Sequence, residues 1–153
     1  MEYPKRKQLR MTEFDYSGDN LYYVTICTHS RQKLFGLPEQ QSEYGLIAEE
    51  ELRLIPERFE GVRLDKYIIM PDHIHAVIII GCLGAAERSR PFPTLSTVVG
   101  LYKSGVSRRI HLMEPELRVW QKSYYERVIR CEDEYLEIWS YIDGNPQKLP
   151  GLN

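Results

Sequence analysis

Residues 67–80 read Tyr67-Ile-Ile-Met-Pro-Asp-His-Ile-His-Ala-Val-Ile-Ile-Ile80, two apolar runs hinged at Pro71-Asp72. Each run is short for a helix and rich in β-branched residues, and Pro-Asp is turn chemistry, so the stretch reads as a hairpin of two central strands. Side chains alternate along a strand, which puts His73 and His75 on one face and Ile74, Ala76, Ile78 and Ile80 on the other. Two neutral imidazoles side by side can each offer a ring nitrogen to one divalent ion. The plainer alternative is that each satisfies a neighbouring carbonyl.

Outward from the hairpin, residues 20–28 (NLYYVTICT) form a strand apolar on both faces, and so a central one. Ser42 followed by Leu46, Ile47, Leu52, Leu54 and Ile55 predicts a helix over 43–56, ending near Pro56. The hairpin strands run from Val62 to Met70 and from His73 to Ile80, and 81–93 is a loop suited to a flap. Thr94 can cap a helix from Leu95 to about Ile110, with Val98, Val99, Tyr102 and Val106 at helical spacing. Trp120 to Ile129 suits an edge strand, and a last helix runs from Glu132 to Gly144, stopped by Gly144-Asn145-Pro146. Strand-helix-strand twice over, around a central hairpin, gives an α+β chain. The expected fold is a ferredoxin-like four-stranded antiparallel sheet (βαββαβ) with an additional C-terminal helix. We expect one domain over residues 1–153, with an N-terminal arm at 1–19 and the terminal helix at 132–145.

Composition bounds the function. A chain of 153 residues, 42% hydrophobic and 27% charged, can bury an ordinary core. Cys27, Cys82 and Cys131 show no CxxC spacing, which argues against a disulfide framework and a thiolate zinc site and for a reducing cytosol. The start MEYPKRKQLR has no apolar signal core, and the apolar run 76–86 is too short for a bilayer, so a cytoplasmic protein is expected. A net charge of −2 argues against a nucleic-acid partner, yet the basic charge is regional. Lys5, Arg6, Lys7 and Arg10 form one group, Lys103, Arg108 and Arg109 a second, and Arg118, Lys122, Arg127 and Arg130 a third. Acid concentrates in residues 39–60.

The terminal helix has an apolar stripe of Tyr135, Ile138, Trp139 and Ile142. Tyr141 lies on its border, with Asn145 one turn later on the same edge. Spacing alone favours the plainer reading, Tyr141 as a boundary residue with its hydroxyl in water and Asn145 as a helix cap before Pro146. Tyr124, Tyr125 and Tyr135 remain rival candidates for any role a phenol plays.

In order along the chain stand Tyr23-Val24-Thr25-Ile26-Cys27-Thr28, Met70-Pro71-Asp72-His73-Ile74-His75, Leu101 to Ser104 with Lys103, Tyr124-Tyr125-Glu126-Arg127-Val128-Ile129-Arg130, and Tyr141-Ile142-Asp143-Gly144-Asn145-Pro146. Together these motifs resemble the REP-associated tyrosine transposases, relatives of the small single-domain HUH transposases, over roughly residues 9 to 148. Asp72 stands where that family often carries asparagine. The resemblance implies that His73 and His75 are the metal-binding pair, that Asn145 completes the site around Mg²⁺ or Mn²⁺, and that Tyr141 is the nucleophile. It implies a partner, single-stranded DNA folded into a short hairpin, cut and rejoined through a covalent 5′-phosphotyrosine. It also implies a monomer, or a homodimer that exchanges the terminal helix. Arg6, Arg10, Lys103, Arg127 and Arg130 are the candidate DNA contacts, and Glu137 a candidate base. Two other classes stay open: a non-catalytic single-stranded nucleic-acid-binding module of the same fold, and a metal-dependent hydrolase that uses water.

Overall fold

A computed structural model describes residues 20–81 and 92–148, with 145–148 described for their backbone alone. The expected arm, Arg6, Arg10, Cys82 and most of the flap therefore lie outside the described residues. The described residues form, in order, β1 (Leu21–Cys27), a short 3-10 turn (His29–Arg31), β2 (Gly36–Leu37), β3 (Gln40–Gln41), α1 (Glu43–Arg53), α2 (Ile55–Arg58), β4 (Val62–Ile69), β5 (His73–Ile80), α3 (Leu95–His111), β6 (Tyr125–Val128) and α4 (Glu132–Lys148). The main sheet has the order β4-β5-β1-β6 with every neighbour antiparallel, as the ferredoxin-like reading requires. A separate small hairpin, β2-β3, occupies what the sequence presents as loop.

β5 is the axis of the molecule, with all eight of its residues buried. Its alternation sorts two cores. Ile74, Ala76, Ile78 and Ile80 join Val24 and Ile26 of β1 beneath α1 and α3, where Leu52, Val98, Val99 and Val106 pack down. Val77 and Ile79 join Leu21, Tyr23 and Ile129 beneath α4, against Tyr135, Ile138, Trp139 and Ile142. The strand reads as nearly unbroken apolar sequence because helices close both of its faces.

Local chemistry explains most boundaries. The Ser42 hydroxyl accepts from the Gly45 N–H at 3.1 Å to start α1, and Thr94 caps α3 through the Thr97 N–H at 3.1 Å. The single helix expected over 43–56 is two: α1 ends at Arg53, and Pro56 sits in the first turn of α2, where a missing N–H costs nothing. The expected strand 120–129 shortens to 125–128, with one isolated bridge from Trp120 to Thr28. Here the tertiary pull is toward α3. Trp120 Nε1 donates to the Lys103 carbonyl at 3.0 Å, and the Lys103 ammonium donates to the carbonyls of Gln121 and Ser123 at 2.9 and 3.2 Å.

The terminal helix runs on to Lys148, past the Gly144-Asn145-Pro146 stop. Its buried stripe holds it to the sheet as far as Ile142, and a helix already nucleated adds a further turn at little cost. Polar ties reinforce the dock. β4 shifts register between Leu64 and Lys66, and the extra residue there, Asp65, accepts the Tyr135 hydroxyl at 2.6 Å. The Lys66 ammonium lies 3.8 Å above the centre of the Trp139 ring and 2.9 Å from Asp143 Oδ1. Among the described residues no helix is long and apolar enough to cross a membrane. Since Trp139 carries the dock of α4, Trp139→Ala should lower unfolding stability by about 3–5 kcal/mol, read from urea denaturation midpoints.

Candidate active site

The site grows from the β1-β5 ladder. Thr25 pairs with His75 and Cys27 with His73, so these side chains share the face that α4 covers. Both imidazoles are inside the protein, His73 1% and His75 4% exposed. Their rings meet edge to face, 4.7 Å between centres.

Each Nδ1 is held. His73 Nδ1 lies 2.7 Å from Asp72 Oδ1, and a carboxylate can only accept, so that nitrogen carries the hydrogen. His75 Nδ1 lies 2.9 Å from the Tyr23 hydroxyl and 3.0 Å from Thr25 Oγ1. Both Nε2 atoms are buried with no hydrogen-bond partner among the described residues. A buried polar nitrogen left unmatched costs free energy; on His73 the unmatched Nε2 is a lone pair, because Nδ1 carries the hydrogen, while on His75 the two hydroxyls at Nδ1 accommodate either tautomer. Neutral imidazoles whose other nitrogen is fixed by a carboxylate or hydroxyl are the usual form of histidine at a metal. Among the described residues no cluster of three or more His, Cys, Asp or Glu side chains accompanies them.

Electrostatics keeps the pair uncharged. Burial drives His75 down to about 3, with the His73 and Arg31 charges acting the same way. Burial also lowers His73, against the pull of Asp72. Burial would raise Asp72, but hydrogen bonds from His73 and Arg31 hold its carboxyl below the ordinary value.

The terminal helix brings its tyrosine to this pair. The Tyr141 and His75 rings meet edge to face at 5.3 Å, and Tyr141 is half-buried. A cleft of about 250 Å³ opens beside Tyr141, lined by Tyr23, Arg127, Glu137, Ile138 and Tyr141 itself. The imidazoles and the phenol meet within one chain.

The rival phenols separate cleanly. Tyr135 is buried and donates to Asp65, and Tyr124 packs against the core of the opposite face. Burial pushes Tyr23 up to about 12, which keeps its proton on. Tyr125 is exposed on the site's side of β6, edge-on to Tyr23 at 6.3 Å.

Of the candidate DNA contacts, Arg127 reaches the cleft and pairs with Glu134 at 3.2 Å, while Arg130 is exposed at the turn into α4. Lys103 is not brought there: its ammonium is engaged by the two carbonyls on the α3 side of the sheet. The Asn145 side chain lies outside the described residues, though its backbone continues α4 one turn beyond Tyr141.

The sequence did not single out Tyr23, Thr25 or Arg31. The first two follow from β1-β5 register, which a single strand does not specify. Arg31 sits in a short helical turn after β1, where Ser30 and Arg31 both take a left-handed φ of 54°. Such a conformation costs a non-glycine residue about 1–2 kcal/mol. Hydrogen bonds from Thr28 to Gln32 and from Gln32 to His29 hold it in place.

Comparisons with known proteins agree with this architecture. No established family profile matches the chain. A Haemophilus influenzae protein of uncharacterised function is 32% identical over 92% of this chain and 88% of its own length. A REP-associated tyrosine transposase bound to a REP hairpin superposes with a TM-score of 0.65 at 14% identity, covering 86% of this chain and 68% of that one. A candidate transposase from Deinococcus radiodurans gives 0.54 at 21% identity, over 81% of this chain and 88% of the other.

A pH prediction follows from the imidazoles. Between the ordinary histidine value of about 6.5 and the depressed folded values, the unfolded chain binds protons that the folded chain excludes, so stability falls as pH falls through that window. In metal-free buffer, lowering pH from about 7.5 to 5.5 should cost about 1.4 kcal/mol through His75 alone. Urea midpoints should show that slope in the wild type and a shallower one in His75→Gln.

The chain thus belongs to one family with the Haemophilus influenzae protein, and its fold is that of the REP-associated tyrosine transposases.

Proposed function

We propose that this protein is a DNA strand transferase that cuts and rejoins single-stranded DNA with Tyr141 as the nucleophile. The observation that carries the reading is the Tyr141 ring, which lines a cleft and lies 5.3 Å from the ring of His75, one of two buried imidazoles whose Nε2 atoms have no partner among the described residues. His73 and His75 would hold Mg²⁺ or Mn²⁺, with Asn145 as the further ligand. The bound ion would supply positive charge to draw out and polarise a phosphate oxygen.

In the cleavage step the Tyr141 oxygen attacks phosphorus and loses its proton, and the bond from phosphorus to the 3′-oxygen breaks. That oxygen gains a proton and leaves as a 3′-hydroxyl, so the DNA stays attached as a 5′-phosphotyrosine. Rejoining is the reverse, by a 3′-hydroxyl. Glu137 lines the cleft one turn before Tyr141 and is the candidate to take the phenol proton.

We take the substrate as single-stranded because a flexible strand can bend its phosphodiester into the cleft beside Tyr141, whereas a duplex is stiff on that scale. A hairpin-forming strand suits it, as in the transposase bound to a REP hairpin. A cytoplasmic location follows from that substrate. The open sheet face that a β-sheet nucleic-acid-binding module offers to bases is here covered by α4, which weighs against the non-catalytic reading.

The test is incubation with labelled single-stranded hairpin DNA plus Mg²⁺ or Mn²⁺, followed by denaturing electrophoresis. A covalent adduct should form with the wild type, vanish in Tyr141→Phe and in chelator, and fall at least tenfold in His73→Ala. Cleavage that persists in Tyr141→Phe indicates a hydrolase, and binding without any adduct indicates the non-catalytic module.

A further inference from the structure

The geometry points to Arg31 as an anion-binding residue, whose guanidinium takes the phosphodiester that single-stranded DNA lays against the imidazole pair. This rests on the strand-transfer reading and adds to it the group that grips the phosphate.

Arg31 reaches the site at His73, whereas Tyr141 meets His75. Its Nε lies 3.3 Å from Asp72 Oδ2, and its Nη2 lies 3.3 Å from His73 Nδ1. The second contact is not a hydrogen bond that can be completed. Asp72 Oδ1 already receives the hydrogen on that nitrogen at 2.7 Å, so guanidinium and imidazole meet there donor to donor. Among the described residues only Nε is matched, and the one carboxylate that pairs with Arg31 is shared with His73. The Nη donors are left for an outside acceptor, and the side chain is 42% exposed, so one can reach them.

The backbone points the same way. Ser30 and Arg31 sit consecutively at a left-handed φ of 54°, a conformation that neither side chain favours. The turn is locked by the His29 N–H on the Val119 carbonyl at 2.9 Å and by the Thr28 and Gln32 side chains. Strain held this firmly aims one cation at the imidazoles. Arg31 at His73 and Tyr141 at His75 then flank the pair. A planar fork of donors is matched to phosphate.

The test uses full-length protein and a fluorescein-labelled 15-mer of deoxythymidine in chelator, with anisotropy titrations across a series of KCl concentrations. Each phosphate contact on a single strand contributes about 0.7 to the slope of log K against log salt. Arg31→Gln should reduce that slope by about 0.7 and weaken binding several-fold at low salt. Arg31→Lys, which keeps the charge, should restore most of the slope, and Arg108→Gln on α3, beyond the other face of the sheet, should leave it unchanged. An Arg31→Gln slope equal to wild type overturns the assignment, as does a wild type that does not bind the 15-mer. The two readings fail separately: a Tyr141-dependent adduct with an unchanged Arg31→Gln slope removes Arg31 alone, whereas a reduced slope with no adduct removes strand transfer and keeps the anion contact.

Discussion

Two imidazoles sealed inside a sheet must stay neutral, and their ring nitrogens must be matched. Everything about the site follows from that constraint. β5 is closed by helices on both faces, so the charged form of either histidine has no water to lean on. Asp72 settles one Nδ1, and Tyr23 with Thr25 settles the other. Both Nε2 atoms are then left without a partner among the described residues. A divalent ion bound as proposed would offset that desolvation cost.

The terminal helix serves the same constraint. By burying Ile138, Trp139 and Ile142 on the sheet it excludes water from the histidines, and in the same movement it sets Tyr141 against His75. Closure and delivery of the phenol are one event. The Lys66 ties to Trp139 and Asp143, and the Tyr135 bond to Asp65, fix where along β4 the helix lands. A slip of one turn would carry the phenol about 5 Å from the imidazole it now touches.

Much of this was legible in residues 67–80 and 132–145, because both rest on periodicity. Strand alternation alone put His73 and His75 together and opposite Ile74 and Ala76, and the three-four spacing of the last helix marked its buried stripe. What failed was decided by partners distant in sequence. The stretch 121–124 left the sheet because Lys103 and Trp120 bind it to α3, and the helix passed Pro146 because packing outweighed a local stop signal. Arg31 was invisible for a third reason. It stands in a turn without repeat or motif, and its place beside His73 depends on a backbone conformation that composition does not announce.

The central claim is that the imidazole pair grips a divalent ion on the side where Tyr141 stands. Anomalous diffraction from a crystal soaked in Mn²⁺ tests it most directly. The account predicts one strong peak at bonding distance from Nε2 of both His73 and His75, opening toward the Tyr141 hydroxyl. A pair that stays empty at saturating Mn²⁺, or a peak on the far side of the rings from Tyr141, would contradict it.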